Sequence, residues 1–309
     1  MPRATSILLV VALLVLAPRV CAEEDVYDYD AISEELPAHS NPRDFVNFPN
    51  WLPFHKLLSD EAKRWTQSGG LDLLFLGDSF TETWRGTEGG LPCVRCKAVP
   101  EIFAQEYGTI KAAAFGIAAD RAAHLLWRLQ NGELPQGLKA RVVVVLVGSN
   151  DLGQNGPDTA EETTKGIRAI VDYVREVIPE AQVVPMAILP RGRITHHGQA
   201  TILPIRTNIT LVNNNLRELW GNRTDPKISF LDCTSKFVDE AHRVFVDRHL
   251  MPDYFHLNEL GYQKWADCLN PVIAKWLPGL TSTNAASGLA EGGGSSESES
   301  HSGAEREEL

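Results

Sequence analysis

Beyond residue 22 this sequence has no apolar run long enough to cross a bilayer as a helix, which takes about 20 consecutive residues, so the mature chain is not expected to span a membrane. It also lacks a basic stripe. Acids outnumber bases by 40 to 29, for a net charge of -11, and no cluster of Lys and Arg could neutralise a run of phosphates, so nucleic acid is excluded as a partner. Cysteine is scarce, with five in 309 residues. Cys93-Val-Arg-Cys96 has the spacing of half a zinc site or of a redox motif, but no second pair at metal-ligand spacing accompanies it, and neither a metal nor another cofactor is expected. No internal repeat recurs, which removes repeat architectures.

What is present divides into four stretches. Residues 1–22 read as a secretory signal peptide: Arg3, an apolar run from Ile7 to Ala17, and Val20-Cys21-Ala22 as a small-residue cleavage site, with a signal anchor as the alternative. Residues 23–41 form an acidic lead expected to lack fixed structure. Residues 42–278 carry the fold, and at 43% hydrophobic content the chain has ample material for one large core. Residues 279–309 are rich in Gly, Ser and Glu and cannot bury enough apolar area to offset the entropy of ordering. Removing the signal takes away two arginines, and the lead and the tail hold most of the remaining acid, which leaves the body with a net charge of only -1.

A secretory route has consequences. Cys93, Cys96, Cys233 and Cys268 then meet an oxidising compartment, where four cysteines allow three connectivities, and Cys93 with Cys96 and Cys233 with Cys268 is the expected pairing. Asn208-Ile-Thr210 and Asn222-Arg-Thr224 become usable N-glycosylation sites. The last residues, Arg306-Glu-Glu-Leu309, resemble a retrieval tetrapeptide, so the expected destination is the endoplasmic reticulum lumen or the outside of the cell.

Within the body, strand-like and helix-like segments alternate. The strands expected are Leu71 to Leu76, Lys111 to Phe115, Val142 to Val147, Val183 to Leu189 and Ile228 to Leu231. Helices are expected from Asn50 to Trp65, near Glu101 to Glu106, and from Ala118 to Leu129, Thr159 to Ile178, Ile205 to Leu219 and Asn258 to Trp276. Such alternation implies a five-stranded parallel sheet with helices on both faces, a three-layer α/β sandwich.

Polar residues cluster where strands end. The first strand runs into Gly77-Asp78-Ser79, the second into Gly116, the third into Gly148-Ser149-Asn150-Asp151, and Asp253-Tyr-Phe-His256 opens the last helix. In an open α/β sheet the carboxyl ends of the strands form the crevice where ligands bind. A serine hydroxyl becomes a competent nucleophile only when a base takes its proton and a carboxylate holds that base in the right tautomer, which Asp253 and His256 can do for Ser79. Ser79 N-H, Gly116 N-H and the Asn150 amide are the candidate oxyanion donors. Gly77-Asp-Ser-Phe-Thr81 lacks the second glycine of a G-x-S-x-G elbow, which disfavours the α/β-hydrolase fold.

These blocks, in this order, resemble those of the SGNH or GDSL-type hydrolases. The sequence is more similar still to the catalytic subunits of type Ib platelet-activating factor acetylhydrolase over Trp51 to Trp276, through Phe115-Gly-Ile-Ala-Ala-Asp120, Leu126-Trp-Arg-Leu-Gln-Asn-Gly-Glu-Leu134 and Leu189-Pro-Arg-Gly192. The resemblance implies a flavodoxin-like sheet, no metal, a homodimer, and a serine esterase for short, acetyl-type esters of small molecules, phospholipids related to platelet-activating factor among them. It also implies an acyl pocket lined by Phe80, Ser149 and Phe255. A carbohydrate O-acetylesterase is the alternative within the enzymes, and a catalytically idle scaffold the alternative outside them. Ala118-Ala119 departs from the pattern, where two small residues including glycine are usual, and the signal peptide, the cysteines and the tail have no counterpart in it.

Overall fold

The computed structural model describes residues 48–152, 158–194, 200–201, 203–221, 225–239 and 246–280. The expected signal peptide and acidic lead, the tail with Arg306 to Leu309, Asn222 and most of the histidine-bearing stretch that follows Gly192 lie outside them. Chain order is α1 (Trp51–Gln67), β1 (Leu71–Gly77), the single turn α2 (Ser79–Glu82), a short hairpin of β2 (Thr87–Glu88) and β3 (Leu91–Pro92), α3 (Val99–Tyr107), β4 (Ala112–Gly116) and α4 (Ala122–Arg128). After these come β5 (Ala140–Leu146), α5 (Ala160–Val177), β6 (Gln182–Pro185), a second hairpin of β7 (Arg193–Ile194) and β8 (Ala200–Thr201), α6 (Leu203–Trp220) and α7 (Glu259–Ile273).

The main sheet is parallel in the order β4-β1-β5-β6. Side chains alternate across its faces, so β1 supplies two cores. Leu74 and Leu76 join Val143 and Val145 against α1, α4, α5 and α6, whereas Leu73 and Phe75 join Val142 and Val144 against α3 and α7. Two apolar faces, each covered by helices, make the expected three layers.

Among the described residues the sheet has four strands, not five. Ile228 to Leu231 does run beside β6 in parallel, but only as two isolated bridges, Val183 to Ile228 and Met186 to Leu231. The break falls at Pro185. Ladder bonds form on either side of it, Val183 N-H to Lys227 O at 2.8 Å, Ser229 N-H to Val183 O at 2.9 Å, Leu231 N-H to Pro185 O at 3.0 Å and Ala187 N-H to Leu231 O at 2.8 Å. The bond due between them needs a donor on residue 185, and proline has none. β6 ends at Pro185, short of the Leu189 expected, and beyond it the Ile188 N-H and C=O pair with the Asn213 side chain, at 2.8 and 2.9 Å, rather than with a strand.

Helix ends follow local chemistry. Thr159 and Glu162 form a capping box at the start of α5, and the Asn258 side chain accepts from Gly261 N-H at 3.0 Å to start α7. The α4 helix begins at Ala122 rather than Ala118, because Ile117 to Asp120 turns first, with Ala119 at φ +61°, and the Asp151 carboxylate accepts from Ala122 N-H at 3.0 Å. Both disulfides have the expected pairing, Cys93–Cys96 beside the first hairpin and Cys233–Cys268 from the segment after Leu231 to α7. Asn208 is half-buried on α6.

Candidate active site

Ser79 is placed by the end of β1. Gly77 closes the strand, Asp78 caps α2 by accepting from Phe80 N-H at 3.1 Å, and the abrupt change from strand to helix leaves Ser79 at the first helical position. Two glycines make this turn possible. A Cβ on Gly77 would lie 2.2 Å from Leu146 O, and one on Gly116 would lie 2.5 Å from Asp78 O and 2.4 Å from Glu82 N. The backbones of β4 and α2 therefore meet at a distance that no side chain allows.

The segment that opens α7 faces this turn. His256 Nε2 lies 3.4 Å from Ser79 Oγ, and His256 Nδ1 lies 2.7 Å from Asp253 Oδ2. Asp253 Oδ1 also accepts from the backbone N-H groups of Phe255 (2.9 Å) and His256 (2.6 Å). Burial alone would raise the Asp253 pKa, but the His256 hydrogen bond and charge and these two backbone donors outweigh it and hold the carboxyl at about 2. Asp253 is thus ionised at neutral pH and accepts from Nδ1-H, which turns the Nε2 lone pair toward Ser79. Burial, aided by the charge of Arg95 and opposed by Asp253, lowers the His256 pKa below its ordinary value. The 3.4 Å contact is longer than an ordinary hydrogen bond, and catalytic contacts of this kind commonly tighten only with substrate bound.

Asn150 joins the same turn from the end of β5. Its Nδ2 donates to the Asp120 carbonyl at 3.0 Å and lies 3.5 Å from Asp78 Oδ2. Desolvation, with the charge of Asp120, pushes the Asp78 pKa up to about 7. The two phenyl rings expected in the pocket pack edge to face, Phe80 on Phe255 with centroids 5.4 Å apart, and both border the His256 ring, Phe255 at 4.2 Å and Phe80 at 6.1 Å. Both also belong to the core on the α7 side, and Ser149 is buried.

The structure therefore brings together Ser79, Asp253 and His256, with Gly116 and Asn150 beside them and Phe80 and Phe255 at the imidazole. Residues 75–264 match the model of the GDSL-like lipase/acylhydrolase family. The subunit alpha1 of platelet-activating factor acetylhydrolase IB from Homo sapiens is 32% identical over 247 residues, 79% of this chain and 92% of that protein. The chain belongs to the GDSL-like lipase/acylhydrolase family. Subunit alpha2 from Homo sapiens is 32% identical over 67% of this chain and 77% of its own length. Among solved structures, a GDSL-like lipase from Bacteroides thetaiotaomicron superposes with a TM-score of 0.54 at 18% identity, covering 75% of this chain and 99% of that one, a likeness of fold. As a member of this family the protein is an ester hydrolase.

Several residues that hold this candidate site together carry no signal as catalytic groups. Glu82, buried in α2, accepts from Ala118 N-H at 2.6 Å, Gly90 N-H at 2.8 Å and Gly89 N-H at 2.9 Å, and so joins the loop after β4 to the turn of the first hairpin. Arg128, also buried, donates to Asp120 Oδ2 at 2.7 Å, to Glu133 and to the Gly77 carbonyl at 2.9 Å. Trp51 Nε1 donates to the other Asp120 oxygen at 2.7 Å, and His55 Nδ1 lies 2.8 Å from Glu133 Oε1. Arg128 thereby holds Gly77, one residue before the Asp78 cap, and Asp120, whose carbonyl orients Asn150. A basic residue beside Leu125 and Leu129, on the buried face of a short helix, was the available sign. Glu88 lies close to Cys93 and Cys96, but both sulfurs are in the disulfide and offer a metal no thiolate.

Arg128→Met should destabilise the fold by about 3–5 kcal/mol, because it takes from the buried carboxylates of Asp120 and Glu133 the guanidinium they share. Urea denaturation of the parent and the variant measures this. A loss under about 1 kcal/mol, the ordinary scale of a surface ion pair, would show that the network is not desolvated as described.

Proposed function

We propose that this acylhydrolase cleaves esters with short, acetyl-type acyl groups through an acyl-enzyme on Ser79. His256 Nε2 takes the Ser79 proton as Oγ attacks the acyl carbonyl, and Asp253 stabilises the imidazolium that results. Ser79 N-H, Gly116 N-H and the Asn150 amide receive the oxyanion, and donors of this kind are commonly worth about 3 kcal/mol each. The imidazolium then protonates the departing alkoxide. Water, deprotonated by the same nitrogen, releases the acid and restores the hydroxyl.

The observation that carries the acyl preference is the edge-to-face pair of Phe80 and Phe255 beside the His256 ring. Two rings held rigidly at the imidazole leave room for a methyl and oppose a longer chain by overpacking, at about 1–3 kcal/mol. The expected discrimination is roughly tenfold to a hundredfold in kcat/KM between acetyl and hexanoyl or octanoyl esters of one alcohol. Phe80→Ala and Phe255→Ala should each flatten that profile. A parent enzyme that prefers octanoate would remove both rings from the acyl pocket. The similarity to platelet-activating factor acetylhydrolase subunits supports a short-acyl phospholipid as the natural substrate class, and competition between such a lipid and an acetylated glycan tests it against the carbohydrate alternative.

The pH dependence follows from His256. The neutral imidazole is the base, so kcat/KM should fall about tenfold per pH unit below its pKa and level off above it. Because burial and the Arg95 charge depress that pKa, the midpoint should lie below the usual imidazole value of about 6.5. Arg95→Gln removes a positive neighbour and should move the midpoint upward. A downward movement would contradict the assignment of His256 as the titrating group.

A further inference from the structure

We propose that Arg191 sets the acyl selectivity of this site by pinning the Phe255 ring, an inference that rests on the acyl-pocket reading above. Arg191 lies beyond β6, outside every catalytic block of the sequence, and its side chain is buried. Its guanidinium carbon sits 4.0 Å from the centroid of the Phe255 ring, and Nη1 donates to the Ser149 carbonyl at 3.1 Å. One side chain therefore holds two of the three pocket residues. The third, Phe80, rests edge-on against Phe255.

A second contact acts at the same place. Gly192 N-H donates to the Tyr254 carbonyl at 2.8 Å, and Tyr254, between Asp253 and Phe255, has φ +65°, a left-handed conformation that a residue of this size rarely adopts. The loop carrying Arg191 thus grips the backbone of the Asp253 to His256 segment as well as one of its rings. A planar guanidinium suits this position, because it can lie over a ring and donate in its own plane at once, which an ammonium cannot do equally well. Without it the Phe255 ring is free to turn away from Phe80, and the space released lies where the acyl chain would extend. Selectivity should then relax, with long chains gaining relative to acetate.

The test is kcat and KM on acetyl, butyryl and hexanoyl esters of one phenol, for the parent, Arg191→Met, Arg191→Lys and Phe255→Ala, with thermal unfolding of each. Arg191→Met should lower the acetyl to hexanoyl ratio of kcat/KM by roughly threefold to thirtyfold, the scale of one cation–π contact, through a lower KM for hexanoate. Arg191→Lys, which keeps a cation, should retain most of the parent's ratio, and Arg191→Met should add nothing further in the Phe255→Ala background. If Phe255→Ala changes the profile but Arg191→Met does not, the pocket stands and the role of Arg191 is refuted. If neither changes it, both the pocket and this inference fall. Should Arg191→Met not fold, the comparison passes to Arg191→Lys and Arg191→Gln, where the ratio must fall in the order Arg, Lys, Gln. An equal ratio in all three overturns the inference.

Discussion

Ser79→Ala is expected to lower kcat on a short aryl ester by on the order of 10⁴- to 10⁶-fold, the range seen when a serine hydrolase loses its nucleophile. The fold should survive. The substitution removes only Oγ, whose partner is His256 at 3.4 Å, while the turn around it is held by the Asp78 cap and by the close approach of Gly116 to Asp78 O. Alanine is also a good residue for the first position of α2. Because the Asp253 to His256 bond does not involve Ser79, the base stays oriented, and the variant should still bind esters with a KM near that of the parent. A fall of less than about a hundredfold would mean that another group carries the attack.

Asp253→Asn should cost about 10⁴-fold in kcat, through the proton rather than through the fold. The Asn carbonyl oxygen can still accept from Phe255 N-H and His256 N-H, so the turn before α7 keeps its two backbone bonds. What changes is the group facing Nδ1. An amide NH₂ there donates, so Nδ1 must accept and the imidazole proton moves to Nε2, where it faces Ser79 and cannot take a proton from it. The imidazolium of the transition state also loses the carboxylate, held at about 2, that stabilised it. Activity within tenfold of the parent would show that Asp253 serves only the turn.

How much of this was legible in the sequence depends on the distance over which each signal acts. The candidate triad, Gly116 and Asn150 stood out because each ends an apolar run or opens a helix, a feature read within a few residues. The α5 and α7 boundaries were legible for the same reason, from Thr159 with Glu162 and from Asn258. The fifth strand failed at Pro185, since the cost of a missing donor depends on which neighbour lies beside it, and this is a property of the sheet. Glu82 and Arg128 were opaque as functional residues. Their partners, Ala118 for one and Gly77 and Glu133 for the other, are brought to them by the packing of β1, β4 and α4. Arg191 stands in a stretch that resembles the family, but its contact with the Phe255 ring, 4.0 Å away, depends on a segment more than sixty residues downstream.

Labelling with a fluorophosphonate, followed by proteolysis and mass mapping, tests the central claim most directly, because such a probe reacts with a base-activated serine beside an oxyanion hole. The account predicts one adduct per chain, on Ser79, formed in parallel with loss of esterase activity and absent from Ser79→Ala. An adduct on any other residue, or esterase activity that persists after Ser79 is fully labelled, would contradict it.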